Sequence, residues 1–251
     1  MKHRTLKITL AYDGADFAGW QSQPKLRTVQ GTLRAMLERI LGEPIKMMGS
    51  GRTDAGVHAL GQVASCETTS QHSCEVIQRA LNAELPEDIA VLSVEDAPPG
   101  FHALRSARRK RYRYVIHDSN VRDVFARRYC WQLAYALDDA AMKRASSMLV
   151  GTHDFSSFEC AGIGRESSVR TVFAIDVARP HVDRPFELHL EVESNGFLYN
   201  MVRVIAGTLV QVGRGVQPEQ WVQQVLESQS RPAAGRTAPP QGLFLLWVRY
   251  E

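Results

Sequence analysis

The order in which alternating and helical runs follow one another constrains the fold of this 251-residue chain more than any other feature. Period-two or apolar runs at 5–12, 45–49, 62–67 and 89–94 read as strands, and runs at helical spacing at 28–41 and 74–85 read as helices. After the break at Pro98, Pro99 and Gly100 come a strand at 111–117, a helix at 138–150, strands at 168–178 and 186–193, helices at 197–212 and 218–227, and a strand at 243–249. With the neighbouring helices 197–212 and 218–227 counted as one helical region, both halves read βαββαβ. That order predicts an α/β (α+β) fold of two tandem related halves with mainly antiparallel mixed sheets, each a split-βαβ or ferredoxin-like unit. The division falls at 1–104 and 105–251, with the segment Glu95–Lys110 as the link and a cleft between the halves as the expected place for substrate.

The first helix is the clearest local signal. Thr28 is placed to cap its N-terminus, and Val29, Leu33, Met36, Leu37, Ile40 and Leu41 make one apolar face.

Several function classes drop out on composition. The longest apolar stretch, FLYNMVRVIAGTLVQVG, is interrupted by Arg203 and is shorter than the roughly 20 residues a membrane-spanning helix needs. The start, MKHRTLKITLAYDG, has no apolar leader core, so a cytoplasmic location is expected. Cys66, Cys74, Cys130 and Cys160 stand far apart without a CxxC pair and read as buried thiols. The histidines form neither HExxH nor HxxxH, so no metal is expected.

Charge is distributed unevenly. The net charge is +3, yet residues 101–130 alone carry +7, from Arg105, Arg108, Arg109, Lys110, Arg111, Arg113, Arg122, Arg127 and Arg128 against Asp118 and Asp123. Of the 30 basic residues 24 are arginine, the side chain that binds phosphate bidentately and stacks on bases. A basic stripe interleaved with aromatic residues on a near-neutral body reads as a polyanion-binding face; a solvated charged face is the plainer alternative.

The segment GRTDAGVHA, beginning at Gly51, holds Arg52, Asp54 and His58 between two expected strands. It fits neither GxGxxG nor GxxxxGKS, and Asp54 would repel a phosphate, so a nucleotide loop is rejected. Two readings of Asp54 remain open: a catalytic carboxylate kept ionised by Arg52, or an Asx turn or helix cap. Alternation in FHALRSARRKRYRYVI puts Tyr112 and Tyr114 on one face and Arg111 and Arg113 on the other. Tyr114, aligned with Ile116, suits the core, and Tyr112 suits a base-stacking position worth roughly 1 to 3 kcal/mol. Arg203, in an apolar helix, either snorkels to water or turns to a carboxylate, for which Asp54 is the preferred partner.

Taken together, YDGADFAGWQSQP from Tyr12, TVQ at Thr28, GRTDAGVHA, FHA with the tyrosine pair, GTHDFSSF at Gly151, NGFLYNMVR and TAPPQGLFL at Thr237 resemble the tRNA pseudouridine synthase A (TruA) family from about Leu6 to Tyr250. The chain departs from the family pattern at Leu104–Arg105, where arginine then an aromatic is usual, and at Pro240, where a small residue is common. The resemblance implies a pseudouridine synthase fold, a homodimer, no cofactor and tRNA as partner, with uridines 38, 39 and 40 of the anticodon stem-loop as substrate. It implies Asp54 as catalytic nucleophile, with Arg52, Tyr112 and Arg203 beside it in the reaction. Substrate binding is expected of Tyr112, Arg105, Arg108, Arg109, Arg111 and His58. Whether the aspartate attacks uracil C6 or ribose C1′, or removes a ribose proton, is left open by the residues. The rival readings are a non-catalytic RNA-binding protein of two RRM-like units, which would carry an RNP1 string such as KGFGFV that is missing here, and a synthase acting on another RNA.

Overall fold

The computed structural model describes residues 3–160 and 167–251. In chain order the regular elements are β1 (Arg4–Tyr12), α1 (Val29–Leu41), β2 (Met47–Gly49), β3 (His58–Thr68), α2 (Cys74–Glu84), β4 (Ile89–Asp96), β5 (Arg109–Asp118), β6 (Trp131–Leu133), α3 (Asp139–Ser146), β7 (Gly151–Asp154), β8 (Val169–Ala178), β9 (Glu187–Ser194), α4 (Met201–Gly213), α5 (Trp221–Ser228) and β10 (Leu243–Arg249). The fold is mixed α and β with mostly antiparallel strand pairs, as expected. No helix among the described residues is long and apolar enough to cross a membrane.

The chain forms two compact units. The first comprises Met1–Arg108 and Phe244–Glu251, the second Arg109–Leu243. The last strand therefore joins the first unit, whereas chain order alone assigns it to the second half.

In the first unit β1 lies between β3 and β4, antiparallel to both, and β2 adds to β3. β1 alternates strictly, with Leu6, Ile8 and Leu10 fully buried and Lys7 and Thr9 turned away, the period-two pattern of a half-buried strand. Leu33 and Leu37 of α1 and Ile77 and Leu81 of α2 close the core. The Thr28 hydroxyl accepts from Gly31 N–H at 3.3 Å, so the expected cap is present; Met36, Ile40 and Leu41 are only half-buried. β10 runs parallel to β3, pairing Phe244 with His58. That pairing explains Gly61 within β3: a Cβ there would meet the Leu246 carbonyl oxygen at 2.5 Å.

In the second unit β9 lies between β5 and β8, antiparallel to both; β7 extends β8, and β6 runs parallel to β5. α4 is buried almost throughout, and Gly207 lets the Arg236 carbonyl lie against it, where a Cβ would overlap that oxygen. The GTHDFSSF motif serves this core. Phe155 and Phe158 are fully buried, and the Ser157 hydroxyl donates to the Val225 carbonyl at 2.6 Å while accepting from Ser230 N–H at 2.8 Å. Two of the four cysteines depart from expectation: Cys66 and Cys130 are buried, but Cys74 and Cys160 are half-buried.

Candidate active site

In the first unit two loops hold one another. The loop after β1 (residues 13–20) packs on the loop before β3 (residues 50–57), and Trp20 N–H donates to the Thr53 carbonyl at 3.0 Å. Two glycines permit the approach. A Cβ on Gly14 would overlap the Val57 carbonyl oxygen, and one on Gly19, whose φ is +91°, would lie 2.8 Å from that of Thr53.

Buried polar side chains fix the second loop. The Tyr12 and Thr53 hydroxyls lie 2.7 Å apart, and burial pushes the Tyr12 phenol up to about 12, so it keeps its proton. Gln62, fully buried, accepts from the Ser50 hydroxyl at 2.6 Å and donates to the Gly51 carbonyl at 3.1 Å. These contacts stand on either side of Arg52.

Asp54 opens the turn that follows. Its main-chain carbonyl accepts from Val57 N–H at 3.1 Å, and Gly56 supplies the positive φ (+78°) that a type II turn needs at its third residue. A backbone bond thus closes this turn, and the side chain is half-buried. Arg52 is exposed, and its guanidinium makes no hydrogen bond or ion pair among the described residues.

His58 is 1% exposed. Its Nδ1 lies 3.0 Å from Asp13 Oδ1 and 3.1 Å from Gly14 N, and its ring stacks on Phe244 with centroids 4.7 Å apart. The FHA segment is tethered in the same unit, where Ala103 N–H donates to the Ser65 hydroxyl and its carbonyl accepts from the Tyr250 hydroxyl, both at 3.0 Å.

In the second unit β5 shows the expected alternation: Tyr112, Tyr114 and Ile116 are buried, and Arg111 and Arg113 point the other way. Tyr114 is a core residue, its hydroxyl donating to the Pro239 carbonyl at 2.7 Å. Tyr112 is 7% exposed and meets Phe197 edge-on at 4.9 Å. Arg203 is half-buried, donating from Nε to the Ala238 carbonyl at 2.7 Å and from Nη1 to Asn200 Oδ1 at 2.6 Å. Ala238 N–H returns a bond to the Arg203 carbonyl at 3.1 Å, so this arginine clamps the TAPPQGLFL segment onto α4.

The basic stripe is divided. Arg105 and Arg108 are exposed, without side-chain partners among the described residues. Arg109 instead lies 3.0 Å from Glu193, and Arg111 and Arg113 lie 2.7 and 2.6 Å from Glu191. These are cross-strand pairs set by the register Arg111 to Glu193 and Arg113 to Glu191.

Sequence reasoning missed Gln62, Tyr12 and Thr53, which support the Asp54 loop. The signal for Gln62 was available: a lone amide in the run GQVASC, which is otherwise apolar or small, must find partners when buried.

Comparison with known proteins places the chain in a class. A family model described as tRNA pseudouridine synthase matches residues 8–104 and 145–251, and the chain belongs to that family of RNA-modifying isomerases. Among its relatives, proteins named tRNA pseudouridine synthase A are 43% identical over 247 residues in Thermoanaerobacter sp. (strain X514) and 46% over 249 residues in Geobacillus sp. (strain WCH70). The protein of that name in Moorella thermoacetica is 47% identical over 247 residues. These alignments cover 98–99% of this chain and 99–100% of each relative.

Proposed function

We propose that this protein isomerises uridine to pseudouridine in tRNA, at positions 38, 39 and 40 of the anticodon stem-loop, with Asp54 as the nucleophile. In the reaction the N1–C1′ bond breaks, a C5–C1′ bond forms, C5 gives up a proton and N1 takes one. No electron is gained or lost, so a single carboxylate suffices as covalent catalyst. The observation that carries the reading is the loop of Asp54, a half-buried acid on a turn held by Tyr12, Thr53, Ser50 and Gln62.

Tyr112 supplies the aromatic face for the uracil, and Arg203 is the basic partner that keeps the acid anionic. Arg52, exposed beside Asp54, meets the RNA. A uridine paired in a stem must leave the stack, at a cost of ~2–4 kcal/mol that stacking and backbone contacts repay. Arg105 and Arg108 make the phosphate contacts. Arg109 and Arg111, which would have to give up carboxylates, hold β5 to β9, and His58 positions the Asp54 loop rather than touching RNA. A homodimer and a cytoplasmic location complete the proposal.

The test follows tritium released to water from tRNA labelled at uridine C5. Release by the wild type, none by Asp54→Asn, and similar tRNA binding by both is the expected result. Undiminished release by Asp54→Asn would overturn the assignment, and tRNA binding without release by the wild type would favour a non-catalytic RNA-binding protein.

A further inference from the structure

The connection between β8 and β9 (residues 179–186) is pinned at both ends. Arg179 grips the buried Asp118 with two nitrogens, at 2.6 and 2.8 Å, and also reaches Asp139 Oδ1 at 3.3 Å and the Pro185 carbonyl at 2.9 Å. Within the connection Arg184 N–H donates to the His181 carbonyl at 3.3 Å, and Glu187 N–H to the Arg184 carbonyl at 3.0 Å. These turns carry His181 back to the start of β9, where Glu187 and His189, two residues apart on a strand, share a face.

Three ligating atoms converge there. His189 Nε2 lies 2.7 Å and His181 Nε2 3.6 Å from Glu187 Oε1, and the three groups offer one atom each within 4.8 Å of one another. Around a tetrahedral ion with bonds of about 2.0–2.2 Å, ligand atoms stand about 3.3–3.6 Å apart, so small side-chain shifts seat an ion. Two imidazoles with one carboxylate suit a borderline transition ion such as Zn²⁺ and not the all-oxygen preference of Mg²⁺ or Ca²⁺.

Two guanidinium groups and a third imidazole lie around the cluster. Arg184, on the same connection, approaches the other carboxylate oxygen, Oε2, at 3.5 Å. From β5, Arg113 is paired with Glu191, and His117, opposite Glu187 in the register, sets its Nε2 3.3 Å from the Val121 carbonyl.

We propose that His181 Nε2, Glu187 Oε1 and His189 Nε2 form a site for a divalent zinc-like ion that ties the β8–β9 connection to β9, its fourth position open to water beside the half-exposed His181. The sequence reading expected no metal, and this site is independent of the isomerase reaction.

Chelator-stripped protein titrated with Zn²⁺ in a calorimeter should bind one ion per chain with micromolar or tighter affinity and raise its melting temperature, with no response to Mg²⁺. His181→Ala, a change on an exposed loop that leaves the fold intact, should weaken binding at least about tenfold, as should Glu187→Gln. Co²⁺ in the wild type should show a spectrum of nitrogen and oxygen ligands. Absence of Zn²⁺ binding, unchanged affinity in His181→Ala, or a cysteine thiolate-to-cobalt band would each overturn the proposal.

Discussion

The Tyr12 hydroxyl stands 2.7 Å from that of Thr53, joining the last residue of β1 to the neighbour of Asp54. Both side chains are buried, so neither hydroxyl has ready access to water in exchange. Removing one partner from such a pair costs about 1–3 kcal/mol, because the other is left desolvated. Tyr12→Phe should lower the unfolding free energy by that amount, read by urea denaturation, and lower kcat for tRNA more than it raises KM. An unaltered kcat would show that this pair does not set the loop.

Gly14→Ala tests the contact between the two loops. The added methyl would overlap the Val57 carbonyl oxygen, and backbone on both sides leaves no flexible end to yield. A loss of roughly 1–3 kcal/mol in stability is expected, with tritium release falling further than stability alone accounts for.

The division of the arginines is open to a salt titration. Arg105→Ala combined with Arg108→Ala should reduce the slope of log affinity against log salt by about one to two, the value for two lost phosphate contacts. Glu191→Gln with Glu193→Gln should do the reverse, releasing Arg109, Arg111 and Arg113 from their carboxylates and steepening the slope. Equal slopes for that variant and the wild type would show that these arginines do not reach the RNA even when released from their carboxylates.

Glu43 gives the first unit an acid-sensitive anchor. Hydrogen bonds from the Thr68 and Thr69 hydroxyls hold its carboxyl at about 2, well below 4.5. A carboxyl depressed on folding stabilises the native state above its unfolded value, and that contribution disappears as pH falls from 4.5 towards 2. Urea midpoints measured across this range should fall less steeply for Glu43→Gln than for the wild type.

Thiol labelling should separate the cysteines. Burial pushes Cys66 up to about 12 and Cys130 up to about 11, and neither should react with iodoacetamide in the native protein. Burial raises Cys160 too, but hydrogen bonds from Thr237, Arg231 and Asn200 outweigh it and lower the thiol, so this residue should be alkylated first, read by peptide mass spectrometry.

Local chemistry was legible in the sequence where it acts over a few residues. The Thr28 cap, the alternation of β1 and β5, the core position of Tyr114 and the loop around Asp54 all follow from neighbours in the chain. β6 and β7, at three and four residues, are too short to show a period. β3 begins at His58 rather than near residue 62, because Gly61 looks like a break until the Leu246 backbone is known to lie against it. α4 begins at Met201 rather than 197 because Asn200 takes a left-handed conformation, φ +62°. Glutamates some eighty residues away quench part of a stripe that looked uniformly free for phosphate, since cross-strand register is invisible in a linear charge count. The group of His181, Glu187 and His189 depends likewise on the turn that folds the connection back on β9.

Because Phe244 stacks on His58 and pairs with it in the sheet, the support beneath the Asp54 loop includes a residue synthesised 186 positions later. Contacts of such long separation form late and slowly. A nascent chain on the ribosome would therefore carry the acid-bearing loop long before it carried its backing. The loop around Asp54 should therefore gain its full support only as one of the last events of folding.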